Sequence, residues 1–214
     1  MTKNKKPLPY IQNHINWCWA VSAKIVGFHY AKLKNLELPF DYDIKYPFGI
    51  KSNIKNGLAE RCMGIDNGLP TIDVWQSMIV QNAKSKTKNI YGDLPEDDSA
   101  KVRALKYVVS GDINSKEIEV CEFGYYDDEI PLCEFNNFIE IKNVLEQGYA
   151  IIGNCIFFNG LAHSLVIFPH NEKLKIYDPK NGATDICSYD QVFRTGFLTD
   201  SGQAVVKWVQ YIKP

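Results

Sequence analysis

The chain has 214 residues, 45% of them hydrophobic and 13% aromatic, with 24 basic against 25 acidic side chains and a net charge of -1. That composition can bury a sizeable core in one domain spanning 1–214, and it lacks the dense basic stretches that track phosphates, so nucleic acid is not expected as a partner. The opening MTKNKKPLPYIQNH is basic but has no apolar h-region, and no run approaches the roughly 18 apolar residues of a membrane span; we therefore expect no membrane span, and a protein that is cytoplasmic or exported without a cleaved signal peptide.

Residues 1–11 are polar and punctuated by proline, which suits an extended approach. Asn16 then offers an N-cap, and the apolar positions 17, 20, 21, 25 and 28 recur at helical spacing to about Leu33. Cys18 falls in the first turn of that helix. After a loop rich in proline and tyrosine, Thr71 can cap a second helix, TIDVWQSMIVQNA, with Asp73 suited to its N-terminal dipole. A polar connection, KSKTKNIYGDLPEDD, leads to a short helix from Ser99. A further helix, NNFIEIKNVLEQG, ends at Gly148, whose missing Cβ suits a left-handed cap.

From there the period changes. YAIIGNCIFF, LAHSLVIF, KLKIYDP and QAVVKWVQYI are β-branched and aromatic runs separated by turn residues, and they read as antiparallel strands, with SYDQVFRTGF as a short helix before the last. Helices first and strands second predict an α+β fold with a helical lobe over about 10–148 and a β lobe over about 149–214. The six cysteines, at 18, 62, 121, 133, 155 and 187, form no CxxC pair and no zinc-type cluster, so we expect reduced thiols and no metal.

The segment QNHINWCWAVSA places Cys18 where it can act. A thiol is a useful nucleophile only as thiolate, and a helix N-terminus together with a neighbouring imidazolium can take its pKa down to about 3.5–7.5. Of the four histidines, His163 lies in a core strand, where a polar side chain requires a reason. His14 precedes the helix in a loop, His29 is eleven residues along the helix and too far at about 1.5 Å per residue, and His170 is expected in a turn. Asp178 ends KLKIYDP, and antiparallel pairing returns it towards His163, close enough to orient the imidazole. Gln12, six residues before Cys18, can offer an amide N–H to an oxyanion beside the Cys18 N–H. Singly, each residue also fits a bland role: packing for Cys18, a satisfied strand histidine for His163, a turn residue for Asp178. Trp17, Trp19, Trp75 and Trp208 are expected in the core or a cleft wall, Asn154 or Asn159 along the cleft, and Cys155 and Cys187 as buried packing.

Gln12, Cys18, Trp19 and Ala20 together resemble the active-site segment of papain-like cysteine peptidases. AHSLVIF is similar to the strand carrying that family's histidine, and KIYDP to the strand carrying its third member. The Cys-to-His separation also lies within the family's span of about 130–150 residues. The resemblance implies a helical lobe packed against an antiparallel β lobe, a Cys18–His163–Asp178 triad with Gln12 in the oxyanion hole, a peptide or protein substrate, and no metal or organic cofactor. Ile15 stands where plant-type enzymes have a disulfide cysteine, Asn16-Trp17 replace Gly-Ser, and Asp178-Pro179 replace Asn-Ser. Asp-Pro after a strand in a short chain looks more like the bacterial branches, similar to the bacteriocin-leader peptidases and the type III effector peptidases of plant pathogens. The same acyl-enzyme serves a deamidase, acyltransferase or isopeptidase, and a descendant of the fold can bind peptide without turnover. Loops over 36–70 and 84–135 are expected to set specificity.

Overall fold

The computed structural model describes residues 12, 17–39, 74–83, 99–124, 130–135, 137–157, 161–200 and 202–214. Helix α1 (Cys18–Lys34) begins one residue after Trp17, whose carbonyl accepts the N–H groups of Ala20 and Val21 at 3.0 and 3.1 Å. Trp17 is thus the N-cap, without a side-chain cap bond, and the expected Asn16 cap lies outside the described residues, as do Thr71 and Asp73. Every residue from Cys18 to Val26 is buried, so the first half of α1 runs through the interior rather than along the surface. It ends at Asn35, in the left-handed region at φ 50°, with Lys32 and Lys34 in the last turn where cations suit the dipole.

Helices α2 (Val74–Ala83) and α3 (Ser99–Ser110) pack beside α1. Gly27 makes the α1–α3 approach close, since a Cβ there would lie 2.5 Å from Val108 Cγ1. Helix α4 (Phe138–Glu146) is the one expected from the periodicity, and Gly148 follows it at φ 95°.

One antiparallel sheet holds all the strands found among the described residues. It comprises β1 (Val120–Gly124), β2 (Ile151–Phe157), β3 (Ala162–His170), β4 (Lys173–Tyr177), β5 (Thr184–Cys187), β6 (Phe197–Thr199) and β7 (Gly202–Ile212), in the order β1-β7-β2-β3-β4-β5. Strands β2 to β5 form a meander. The long β7 then returns to pair with β2 along one edge and with β6 and β1 along the other. The architecture is α+β, as the patterning predicts. The expected four strands are present, with β1, β5 and β6 in addition, and SYDQVFRTGF forms a π-type turn at Gln191–Thr195.

Each face of the sheet carries a core. Ile152, Val166 and Ile212 pack against α1, α2 and α3, whereas Ile151, Leu165, Ile167 and Val209 pack against α4, Leu132 and Phe193. The division expected at 148 therefore does not follow the packing. Strand β1 joins the sheet and α4 covers the face away from the other helices, because an amphipathic helix fixes that it packs but not against which side. Among the described residues, no helix is long and apolar enough to cross a membrane.

Candidate functional site

Strand register brings the first two site residues together. Tyr177 pairs with Val166, so the chain leaving β4 places Asp178 beside the start of β3. There the His163 Nε2–H donates to Asp178 Oδ1 at 2.7 Å, with the two side chains only 9% and 8% exposed. The Lys180 N–H donates to the same oxygen at 2.8 Å. The carboxylate is fixed by its own turn, in which the Asp178 N–H reaches Ala183 O at 2.9 Å and the Gly182 N–H reaches Asp178 O at 2.8 Å. The sequence DPKNGA supplies what such a turn needs, with Gly182 at φ 74°.

Cys18 is the first residue of α1 and is buried. Its Sγ accepts the backbone N–H of Ser164 at 3.5 Å and lies close enough to the His163 side chain for that imidazole to lower the thiol's pKa. Because Nε2 is engaged with Asp178, the nitrogen left for the sulfur is Nδ1. Cys18 is thus brought, across most of the chain, into line with His163 and Asp178, sulfur to imidazole to carboxylate.

The electrostatics follow from these contacts. Burial pushes the Cys18 thiol up, but the hydrogen bond and charge of His163, the Ser164 N–H and the Lys101 ammonium together hold it below the ordinary 9.0. Burial opposes a charge on His163 as well. Asp178 and the Cys18 sulfur outweigh that burial and raise the imidazole to about 9. Asp178 feels the same burial penalty and is nonetheless lowered, by His163 and by Lys180. The three shifts share one sense, each contact favouring the charged forms, thiolate, imidazolium and carboxylate in a row.

Gln12 is half-buried, and its backbone N–H donates to Pro179 O at 2.7 Å. The segment entering α1 is thereby tied to the turn that holds Asp178. His14, Asn159 and Cys62 lie outside the described residues. His29 donates from Nε2 to Gly148 O at 2.7 Å and stands edge-on to Phe168, which makes it a tie between α1 and the end of α4. His170 is the last residue of β3 rather than a turn residue, at the opposite end of the strand from His163. Trp17, Trp19 and Trp208 are buried, and the Trp75 side chain is not among those described. Cys155 pairs with His163 across the strands and is buried in the second core, where its thiol is pushed up by desolvation. Cys187 is buried too.

Two contributors were not foreseen. Ser164 supplies the backbone N–H on the sulfur, which no sequence pattern announces. Lys101 is 3% exposed, with Nζ 5.2 Å from the Trp208 ring centroid, and its charge favours the thiolate. A signal for it exists, because Lys101, Leu105 and Val108 share one stripe of α3 on which a lysine is out of place. Asn154, expected along the cleft, is instead buried and hydrogen-bonded within the helix-facing layer. Among the described residues, no group of three or more His, Cys, Asp or Glu could hold a metal ion. No protein-family model matches the chain, and no curated protein matches it significantly.

Proposed function

We propose that this protein is a cysteine peptidase of the papain-like type, with Cys18 as nucleophile, His163 as acid and base, and Asp178 as the group that orients His163. The observation that supports the reading is the His163 imidazole, bonded through Nε2 to Asp178 Oδ1 at 2.7 Å and near enough to the Cys18 sulfur to lower its pKa. A merely packed cysteine gains nothing from a buried, carboxylate-backed imidazole.

In the first half-reaction, the Cys18 thiolate attacks the carbonyl carbon of a peptide bond. The S–C bond forms, and the negative charge moves to the carbonyl oxygen, where the Cys18 N–H and the Gln12 side-chain amide donate to it. Collapse breaks the C–N bond as His163 gives its proton to the leaving amine. In the second, water loses a proton to His163 and attacks the thioester. The acid departs, and thiolate and imidazolium are restored. Asp178 keeps the imidazole facing the sulfur and stabilises its charge throughout.

The deciding test needs no substrate. The rate of alkylation by iodoacetamide is followed from pH 5 to 8 by peptide mapping, for wild type and His163→Ala. Rapid labelling of Cys18 below pH 7, slowed about tenfold or more by the histidine change, supports the reading, since each unit of lost pKa depression costs a factor of ten in thiolate. Labelling of Cys18 no faster than that of an ordinary thiol refutes it.

A further inference from the structure

Strand β4 pairs with β3 only as far as Tyr177 opposite Val166. Continued in register, the next outward-facing pair would set Pro179 against Ser164, but proline has no N–H to give and the chain turns away at Asp178. The first turns of α1 take the place of the missing strand. The Ser164 N–H donates to Cys18 Sγ at 3.5 Å, and the Ser164 carbonyl accepts from Ser22 Oγ at 3.3 Å.

The Ser164 side chain is held from the other direction. Its hydroxyl donates to Asn154 Oδ1 at 2.8 Å, and Asn154 Nδ2 donates to Gln210 Oε1 at 2.6 Å and to Trp208 O at 3.2 Å. Gln210 Nε2 then donates to Glu122 Oε1 at 3.2 Å, at the exposed edge of the sheet. Asn154, Ser164 and Gln210 are each 2% exposed or less. The polarity of this row is set at its outer end. An ionised carboxylate only accepts, so Gln210 must turn its NH₂ to Glu122 and its oxygen to Asn154. Asn154 must then turn its NH₂ to Gln210 and its oxygen to Ser164, and Ser164 is left to donate.

We propose that the row Glu122–Gln210–Asn154–Ser164 is a positioning device that clamps the Ser164 backbone so that its N–H stays on the Cys18 sulfur and favours the thiolate. Burying two amides and a hydroxyl between sheet and helices costs stability unless all are paired, and apolar side chains would fill the same space without that cost. What the row supplies is a fixed rotamer and a fixed backbone at the residue whose amide N–H reaches the nucleophile from the sheet. Ser164, Asn154, Gln210 and Glu122 touch no reacting atom through their side chains; they act through the Ser164 amide.

This inference rests on the reading of Cys18 as a nucleophile, and its test separates the two. The pH at which Cys18 alkylation rises is measured for wild type, Ser164→Ala, Ser164→Thr and Glu122→Gln, with the melting temperature of each. Ser164→Ala is expected to move the rise up by about one pH unit, a tenfold loss of labelling below it, with Ser164→Thr returning it towards wild type. Glu122→Gln, which keeps the shape but no longer dictates which way the Gln210 amide points, is expected to give a shift of the same sign and about two- to threefold in rate. A folded Ser164→Ala whose profile superimposes on wild type overturns the proposal and leaves the nucleophile standing. Should Ser164→Ala not fold, Glu122→Gln decides alone, an unchanged profile overturning the proposal. A wild-type Cys18 that labels as an ordinary thiol overturns both.

Discussion

The two faces of the sheet are built from different materials. The face under α4 is closed by Leu165, Ile167, Val206, Val209 and Phe193, with Phe138 meeting Phe193 edge-on at 5.0 Å between ring centroids, and the buried side chains of this cluster are aliphatic, aromatic or thiol, Tyr211 bringing the one hydroxyl among them. The face under α1 and α3 mixes Ile152, Val166 and Trp19 with Asn154, Ser164, Gln210, Ser22 and Lys101, all of them buried. Both faces exclude water. Only the second arranges dipoles and a cation around a sulfur, and it forgoes apolar contact to do so. Both faces bury apolar surface, and the difference indicates that only the face under α1 and α3 gives up part of that burial to pre-organisation around Cys18.

The largest effect that would test this difference is on stability. Phe193→Ala should destabilise the fold by about 3–5 kcal/mol, as for other fully buried aromatic truncations, while the pH at which Cys18 alkylation rises stays where it is in the folded fraction. Urea unfolding gives the first number and peptide mapping the second. A shift in the alkylation profile would show that the two faces are not separable.

A smaller effect concerns pH. His163 goes from 6.5 unfolded to about 9 folded, so its contribution is complete below 6.5 and is lost as pH rises through about 9. Cys18 is lowered from 9.0, so its contribution is complete above 9.0 and is lost as pH falls through its depressed value. Between the higher of 6.5 and that depressed value, and about 9, the folded protein carries its proton on His163 and the unfolded chain carries one on Cys18. Equal proton counts make the wild-type stability flat across that window. Cys18→Ser removes one side of the balance and should expose a decline with rising pH, of at most about 1.4 kcal/mol per unit. A wild type as steep as the variant in urea midpoint against pH would contradict the ion pair. At the acid end Asp178 behaves in the opposite sense, with a contribution present above 3.8 and lost as pH falls through its lowered value.

The smallest expected effect is that of Lys101→Met. Its charge is the least of the causes that lower Cys18, so the alkylation profile should move up by no more than about half a unit, a factor of about three in rate. Methionine keeps the length and the contact with Trp208, so the melting temperature should hold or rise. A shift as large as that of His163→Ala would place the lysine, not the imidazole, at the centre of the electrostatics.

What could be read from the residues alone follows from how far each signal reaches along the chain. Cys18 at a helix start, His163 inside a strand and Asp178 at a strand end are anomalies against a strong local period, and a hairpin register of a few residues suffices to bring the last two together. The helices and long strands were legible for the same reason. VCEFG, TDIC and FLT were not, since they are short and lack the strict alternation that marks KLKIY, and they are held in the sheet by partners such as β7 and β4. Ser164 and Asn154 were equally opaque. Alternation shows that each shares a face with apolar neighbours, but that their side chains meet, and that Gln210 meets them from 56 residues beyond Asn154, is a fact of tertiary pairing.

Pro179 stands at the junction of these arrangements. It follows the residue that holds His163, its carbonyl receives the Gln12 N–H, and its missing hydrogen ends the pairing of β4 before Ser164. The amide and carbonyl left over on β3 are taken by Cys18 and Ser22. A sheet edge is ordinarily a vacancy that any extended chain can claim. Here the claim is reserved for a helix, because the neighbouring strand is disqualified from it by a single ring, and the address of the nucleophile is written as much by what Pro179 lacks as by what Cys18 brings.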